Sequence, residues 1–228
     1  MIFINVKKTN INRFIVSSLS FSLSIMFFLS IIELLPSSIY SILSHFNYAS
    51  ALTIIITTLM IGFIFITLLN KLFKDNTSDL YKVGLLSATA LFIHNIPEGI
   101  ATFITSYANT TLGIKLAVAI ALHNIPEGIS IAVPIYYATK KKSRAIVVAL
   151  LSGLSEPLAG IISFIFIKDY ITGSLINIIL LFVGSIMITL SINHLLPKAK
   201  KYKEPKHLKI GFIIGFIIIF ASYLFNLI

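Results

Sequence analysis

The chain has 228 residues, is 57% hydrophobic and 11% charged, and has a mean hydropathy of +0.98. These values exclude both a soluble globular domain and a disordered chain, and they leave a polytopic integral membrane protein. The net charge of +10 does not point to nucleic acid, because the basic residues sit in short loops between apolar runs, and the lack of cysteine excludes disulfides, thiolate zinc sites and iron–sulfur clusters.

Apolar runs near the roughly 20 residues needed to cross the hydrocarbon core are 14–35, 51–69, 83–105, 114–136, 145–167, 174–196 and 210–227. The first follows Lys7 and Lys8, as in a signal peptide. It is nevertheless long enough to span, and no small-residue cleavage site follows, so it reads as a retained helix. The expected fold class is therefore all-α, a membrane bundle of seven transmembrane helices forming one transmembrane domain over 1–228, with short connections and no appended soluble module. Sixteen of the eighteen Lys and Arg residues fall on one side of these spans, with Lys115 and Lys168 opposite. The positive-inside rule then puts the N-terminus in the cytoplasm and the C-terminus outside a cell membrane. The same basic face suits anionic lipid of the bilayer.

The hexapeptide His-Asn-Ile-Pro-Glu-Gly occurs twice, at His94 to Gly99 in the third span and at His123 to Gly128 in the fourth. A carboxylate near the bilayer centre costs roughly 2.5 to 3.5 kcal/mol on insertion scales, so Glu98, Glu127 and, in the fifth span, Glu156 mark a functional site by default. Within each repeat His and Glu are four apart and share a helix face, while Asn95 and Asn124 turn toward an adjacent one. The polar groups of three consecutive spans are expected to converge at one depth. Pro97, Pro126 and Pro157 each lack an amide donor and disturb the bond to the carbonyl four residues back, at Ile93, Leu122 and Gly153. Interrupted helices at mid-membrane point to a transporter binding site.

Imidazole, carboxylate and amide oxygen together suit Zn²⁺, and also Fe²⁺, Mn²⁺ or Co²⁺. Any one buried His or Glu is commonly interhelical glue, but glue alone accounts poorly for the duplicated motif with Glu156. An intramembrane metal hydrolase would need an open metal position and a free base; Glu98 or Glu127 has the chemistry, yet HExxH is absent. A non-transporting metal-binding membrane protein is the other alternative. Glu33 is expected at the outer end of its span, snorkelling to the interface, and Asn193 and His194 at the inner end of theirs. His45 and His207 are loop residues.

These motifs resemble the ZIP (Zrt/Irt-like) divalent-metal transporters, in their bacterial GufA-like branch. The resemblance runs from Phe21 to Met26 and Glu33 to Pro36, through both hexapeptides, to Ser152 to Pro157 and Ser191 to Pro197. It implies a binuclear site with His94, Asn95, Glu98, His123, Asn124, Glu127 and Glu156 as ligands, and it aligns Met26 with a thioether sometimes found near the outer site. It also implies Zn²⁺ moved into the cytoplasm by alternating access, no cofactor beyond the transported ion, and a homodimer in many relatives, although no residue here singles out a dimer face. Protonation of His94 and His123, which competes with metal for the same lone pairs, would aid release. Two departures stand out: the family has eight spans and this chain reads as lacking the first, and the Lys71 to Lys82 loop is short and without His. His194 stands where relatives commonly carry an acid.

Overall fold

The computed structural model describes residues 11–72, 79–108, 110–166 and 172–224. Lys168 and the side chains of Lys115 and His123 lie outside the described residues. No strand occurs among the described residues, because hydrocarbon offers a backbone no partner but itself and a helix satisfies every group internally.

In chain order the helices are α1 (Ile11–Leu29), α2 (Leu35–His45), α3 (Tyr48–Leu72), α4 (Asp79–Ala108), α5 (Thr110–Thr139), α6 (Lys142–Gly153), α7 (Ser155–Phe166), α8 (Gly173–Leu190), α9 (Leu196–Lys201) and α10 (Pro205–Leu224). Among the described residues, five helical runs are long and apolar enough to cross a membrane: α1 with α2, α3, α6 with α7, α8 with α9, and α10. The hexapeptides lie on α4 and α5, of 30 residues each. At 1.5 Å per residue such a helix is about 45 Å long, longer than the roughly 30 Å hydrocarbon core.

Two expected span ends are corrected. The first helix does not stop near Leu35, and the sixth does not stop near Leu196. Each passes instead through a π turn, Ser30–Leu34 and Ser191–Leu195, and continues to His45 and to Lys201. In both, Pro36 or Pro197 follows the serine by six residues. The amide of Leu35 donates to the Ser30 carbonyl, and that of Leu196 to Ser191. Widening the turn by one residue accommodates a proline that cannot donate and whose ring would strike the preceding turn, so the helix survives. Glu33 and His194 thus sit inside continuous helical runs rather than at their ends.

The prolines of the repeats also behave differently from one another. α4 stays helical through Pro97 and α5 through Pro126 and Pro134. Pro157, by contrast, stands just after a break, at Leu154 between α6 and α7. Pro157 then occupies the first turn of α7, where a missing amide costs nothing.

α4 packs on α5 and α7, α5 packs on α1 and α6, and α8 takes α2 and α3. The apolar core includes Leu19, Leu23, Leu86, Leu91, Ile131 and Leu190. α10 closes against α1 through Gly211 and Gly215, where an added Cβ would fall on Ser20 and Ser24. The Ser24 hydroxyl donates to the Phe212 carbonyl at 2.7 Å across that seam. Small residues bring helices together where lipid supplies no hydrophobic drive to do so.

Candidate metal centre

His94 lies at the middle of α4 and is 2% exposed. Its Nε2 stands 3.5 Å from Glu98 Oε2, one turn on, and 3.4 Å from Glu127 Oε1 of α5. Glu127 is itself 4% exposed. Neither approach is a hydrogen bond, since a charge-assisted N–H to carboxylate bond closes to about 2.7 to 2.9 Å. One imidazole nitrogen is thus faced by carboxylates from both repeats.

Both asparagines are held by their amide nitrogens. Asn95 Nδ2 donates to the Ser152 carbonyl at 3.2 Å, and Asn124 Nδ2 donates to Glu156 Oε2 at 2.7 Å. Because each partner can only accept, the amide orientation is fixed and each Oδ1 faces elsewhere. Asn95 Oδ1, Asn124 Oδ1 and His94 Nδ1 are buried without hydrogen-bond partners among the described residues. An unmet buried acceptor is costly, and three beside one carboxylate pair call for a ligand.

Close packing brings α7 to this place. An added Cβ at Gly99, the last residue of the first hexapeptide, would fall on the Glu156 backbone carbonyl, and one added at Gly160 would stand 2.9 Å from the Gly99 carbonyl. Two residues without side chains let the start of α7 touch α4, and Glu156 is thereby carried to Asn124. A carboxylate in a first turn also lies at the positive end of its helix. The Ser152 carbonyl, at the end of α6, accepts from Asn95 and from the Ser155 hydroxyl at 2.6 Å, while the Ser152 hydroxyl donates to Ala88 of α4 at 3.0 Å.

Of the residues expected from sequence, His94, Asn95, Glu98, Asn124, Glu127 and Glu156 are brought together by α4, α5 and α7. The His123 side chain lies outside the described residues; its backbone belongs to α5, four residues before Glu127. Met26 is wholly buried in the apolar core, on the face of α1 that also carries Ser22, whose hydroxyl donates to the Pro126 carbonyl at 2.7 Å. Among the described residues no three His, Asp or Glu side chains form a closed metal cage; the arrangement is a converging donor set with amide oxygens at its edge. Sequence reasoning missed Ser152 and Gly160 as supports. The only signal was the density of small residues before Pro157.

Five membrane-capable helical runs, with carboxylates of α4, α5 and α7 gathered beside one imidazole, define a polytopic membrane protein with a metal-type donor set. The family model described as ZIP zinc transporter matches residues 74–222. Relatives named zinc transporter ZupT include that of Chlorobium phaeovibrioides, 37% identical over 238 residues and covering 96% of this chain and 89% of the relative. Those of Chlorobium chlorochromatii and Clostridium perfringens are 33% and 34% identical, covering 90% and 96% of this chain and 83% and 87% of the relatives. The chain belongs to the ZIP zinc transporter family.

Proposed function

We propose that this protein moves a divalent metal ion, Zn²⁺ first among them, across the membrane into the cytoplasm, binding it at His94, Asn95, Glu98, Asn124, Glu127 and Glu156, with His123 as the second imidazole. One observation carries the reading: the 3.5 and 3.4 Å separations of His94 Nε2 from two carboxylate oxygens. Ligands about 2.0 to 2.2 Å from a tetrahedral Zn²⁺ lie about 3.4 Å from one another. The donors therefore have the spacing of one edge of a zinc tetrahedron and are too far apart for each other. The relatives' names support zinc as cargo. Carboxylates neutralise the ion at a depth where lipid cannot, imidazole favours a borderline cation, and amides orient without adding charge.

Three carboxylates and two amides exceed what one four-coordinate ion needs, which supports two ions bridged by a carboxylate. Fe²⁺, Mn²⁺ and Co²⁺ fit the same donor chemistry. The excess of Lys and Arg in the inward loops supports a cytoplasmic N-terminus.

Uptake of Zn²⁺ into proteoliposomes tests the site. His94→Ala and Glu127→Ala are each expected to lower initial uptake at least about tenfold, the scale of one lost ligand contact of about 1.4 kcal/mol. Equal flux in the unsubstituted chain and both variants would sink the assignment.

A further inference from the structure

Beside the donor cluster, between α4, α5 and α6, lies a cavity of about 80 Å³ whose lining includes Asn95, Asn124, Glu127, Ser152 and two glycines, Gly128 and Gly153. A cavity needs only about 10 to 15 Å³ to hold one water, so this one has room for several, and its walls offer the polar partners water requires.

The glycines that border it are not explained by backbone geometry, since no glycine among the described residues has positive φ. Nor are they explained by close packing, because a Cβ built on Gly128 or Gly153 meets nothing within 4 Å among the described residues. Glycine in a helix destabilises it relative to alanine, so an unfilled glycine at a site wall has a cost that packing does not return. The two hexapeptides use their final glycine for opposite ends. Gly99 is closed off by the backbone of Glu156, whereas Gly128 borders open volume.

We propose that Gly128 and Gly153 set cargo selectivity by keeping room, beside Asn95, Asn124 and Glu127, for water ligands that remain on the ion. This rests on the metal-binding reading above. Zn²⁺ is content with four ligands, while Mn²⁺ takes six oxygens and keeps more of its hydration. A methyl group displaces about one water, whose share of volume is about 30 Å³. Filling the cavity therefore penalises the six-coordinate ion more than zinc, because the lost water bond is not replaced.

The test uses the full chain in proteoliposomes, with MnCl₂ and ZnCl₂ as the probes, separately and in competition. Gly128→Ala is expected to lower the Mn²⁺ to Zn²⁺ ratio of initial uptake rates about fivefold, equivalent to about 1 kcal/mol. Gly153→Ala should move it in the same direction. Gly128→Ser, whose hydroxyl can stand in for a water, should restore part of it. Gly173→Ala, equally open to an added Cβ but at the start of α8, should leave it unchanged. Because both metals are read in the same vesicles, the ratio does not depend on how much protein folds. An unchanged ratio in both alanine variants, accompanied by higher thermal stability, would make the cavity a packing void and overturn the proposal. Mn²⁺ that neither enters nor slows Zn²⁺ uptake by the unsubstituted chain would overturn it too. If His94→Ala and Glu127→Ala transport normally, it is the metal-binding reading that fails.

Discussion

Asn124 shows how a neutral residue serves a charged site. Its Nδ2 is committed to Glu156 at 2.7 Å, so it holds a carboxylate of another helix in position while its Oδ1 stays buried and unpartnered. Partners that orient ligating groups typically cost about 10- to 100-fold in metal affinity when removed. Asn124→Ala is accordingly expected to weaken Zn²⁺ binding by that factor in a calorimetric titration, and Asn95→Ala, which releases the Ser152 carbonyl, by less. Equal affinities for Asn124→Ala and the unsubstituted chain would show that Glu156 needs no such anchor. The side chains that converge here were legible from the repeated hexapeptide and from the improbability of a membrane carboxylate. Their supports were not. The Ser152 carbonyl is reached by Asn95 only because α6 ends there, and Ser22 reaches Pro126 across a helix boundary, neither of which a one-dimensional pattern encodes.

At the scale of elements, proline gave an ambiguous signal because a helix has more than one answer to it. Pro157 ends a helix and begins another, Pro97 and Pro126 are carried within α4 and α5, and Pro36 and Pro197 are absorbed by π turns. Only tertiary packing distinguishes these outcomes, so span centres were readable from sequence while span ends near Leu35 and Leu196 were misplaced. Glycine is the more decisive element marker. Gly99→Ala forces α7 away from α4 at Glu156, and overpacking of this kind costs about 1 to 3 kcal/mol. A lower melting temperature in detergent together with reduced Zn²⁺ uptake is expected, since the displaced element carries Glu156, a proposed ligand. Gly215→Ala strains the seam of α10 on α1 against Ser24 and the Phe21 carbonyl and should cost similar stability. Its remaining folded protein should keep the zinc affinity of the unsubstituted chain, because the cluster's described contacts involve α4, α5, α6 and α7 and not α10. A zinc affinity that falls equally in both variants would mean that the cluster reports global packing rather than the approach of α7.

On the scale of the whole molecule, the proposed inward direction of transport rests on an orientation read from charge rather than from packing. With the seven spans expected from sequence, sixteen of eighteen basic side chains fall on one side, and an excess of Lys and Arg marks cytoplasmic loops. Lys140 and Lys203 adopt left-handed backbone conformations, φ 58° and 53°, in the turns that end α5 and α9, which compresses these basic loops close to the helix ends. Glu204 lies 3.6 Å from Arg13 of α1 and 3.2 Å from His207 of α10, so the basic side also clasps the first described helix to the last. The absence of native cysteine makes the assignment directly measurable. Single cysteines placed at His45, exposed at the end of α2, and at Lys141, exposed between α5 and α6, are expected on opposite sides in the proposed orientation. A thiol reagent that cannot cross the membrane is expected to modify His45→Cys in intact cells and Lys141→Cys only after permeabilisation. The reverse pattern would invert the chain in the membrane and, with it, the inward direction proposed for the metal.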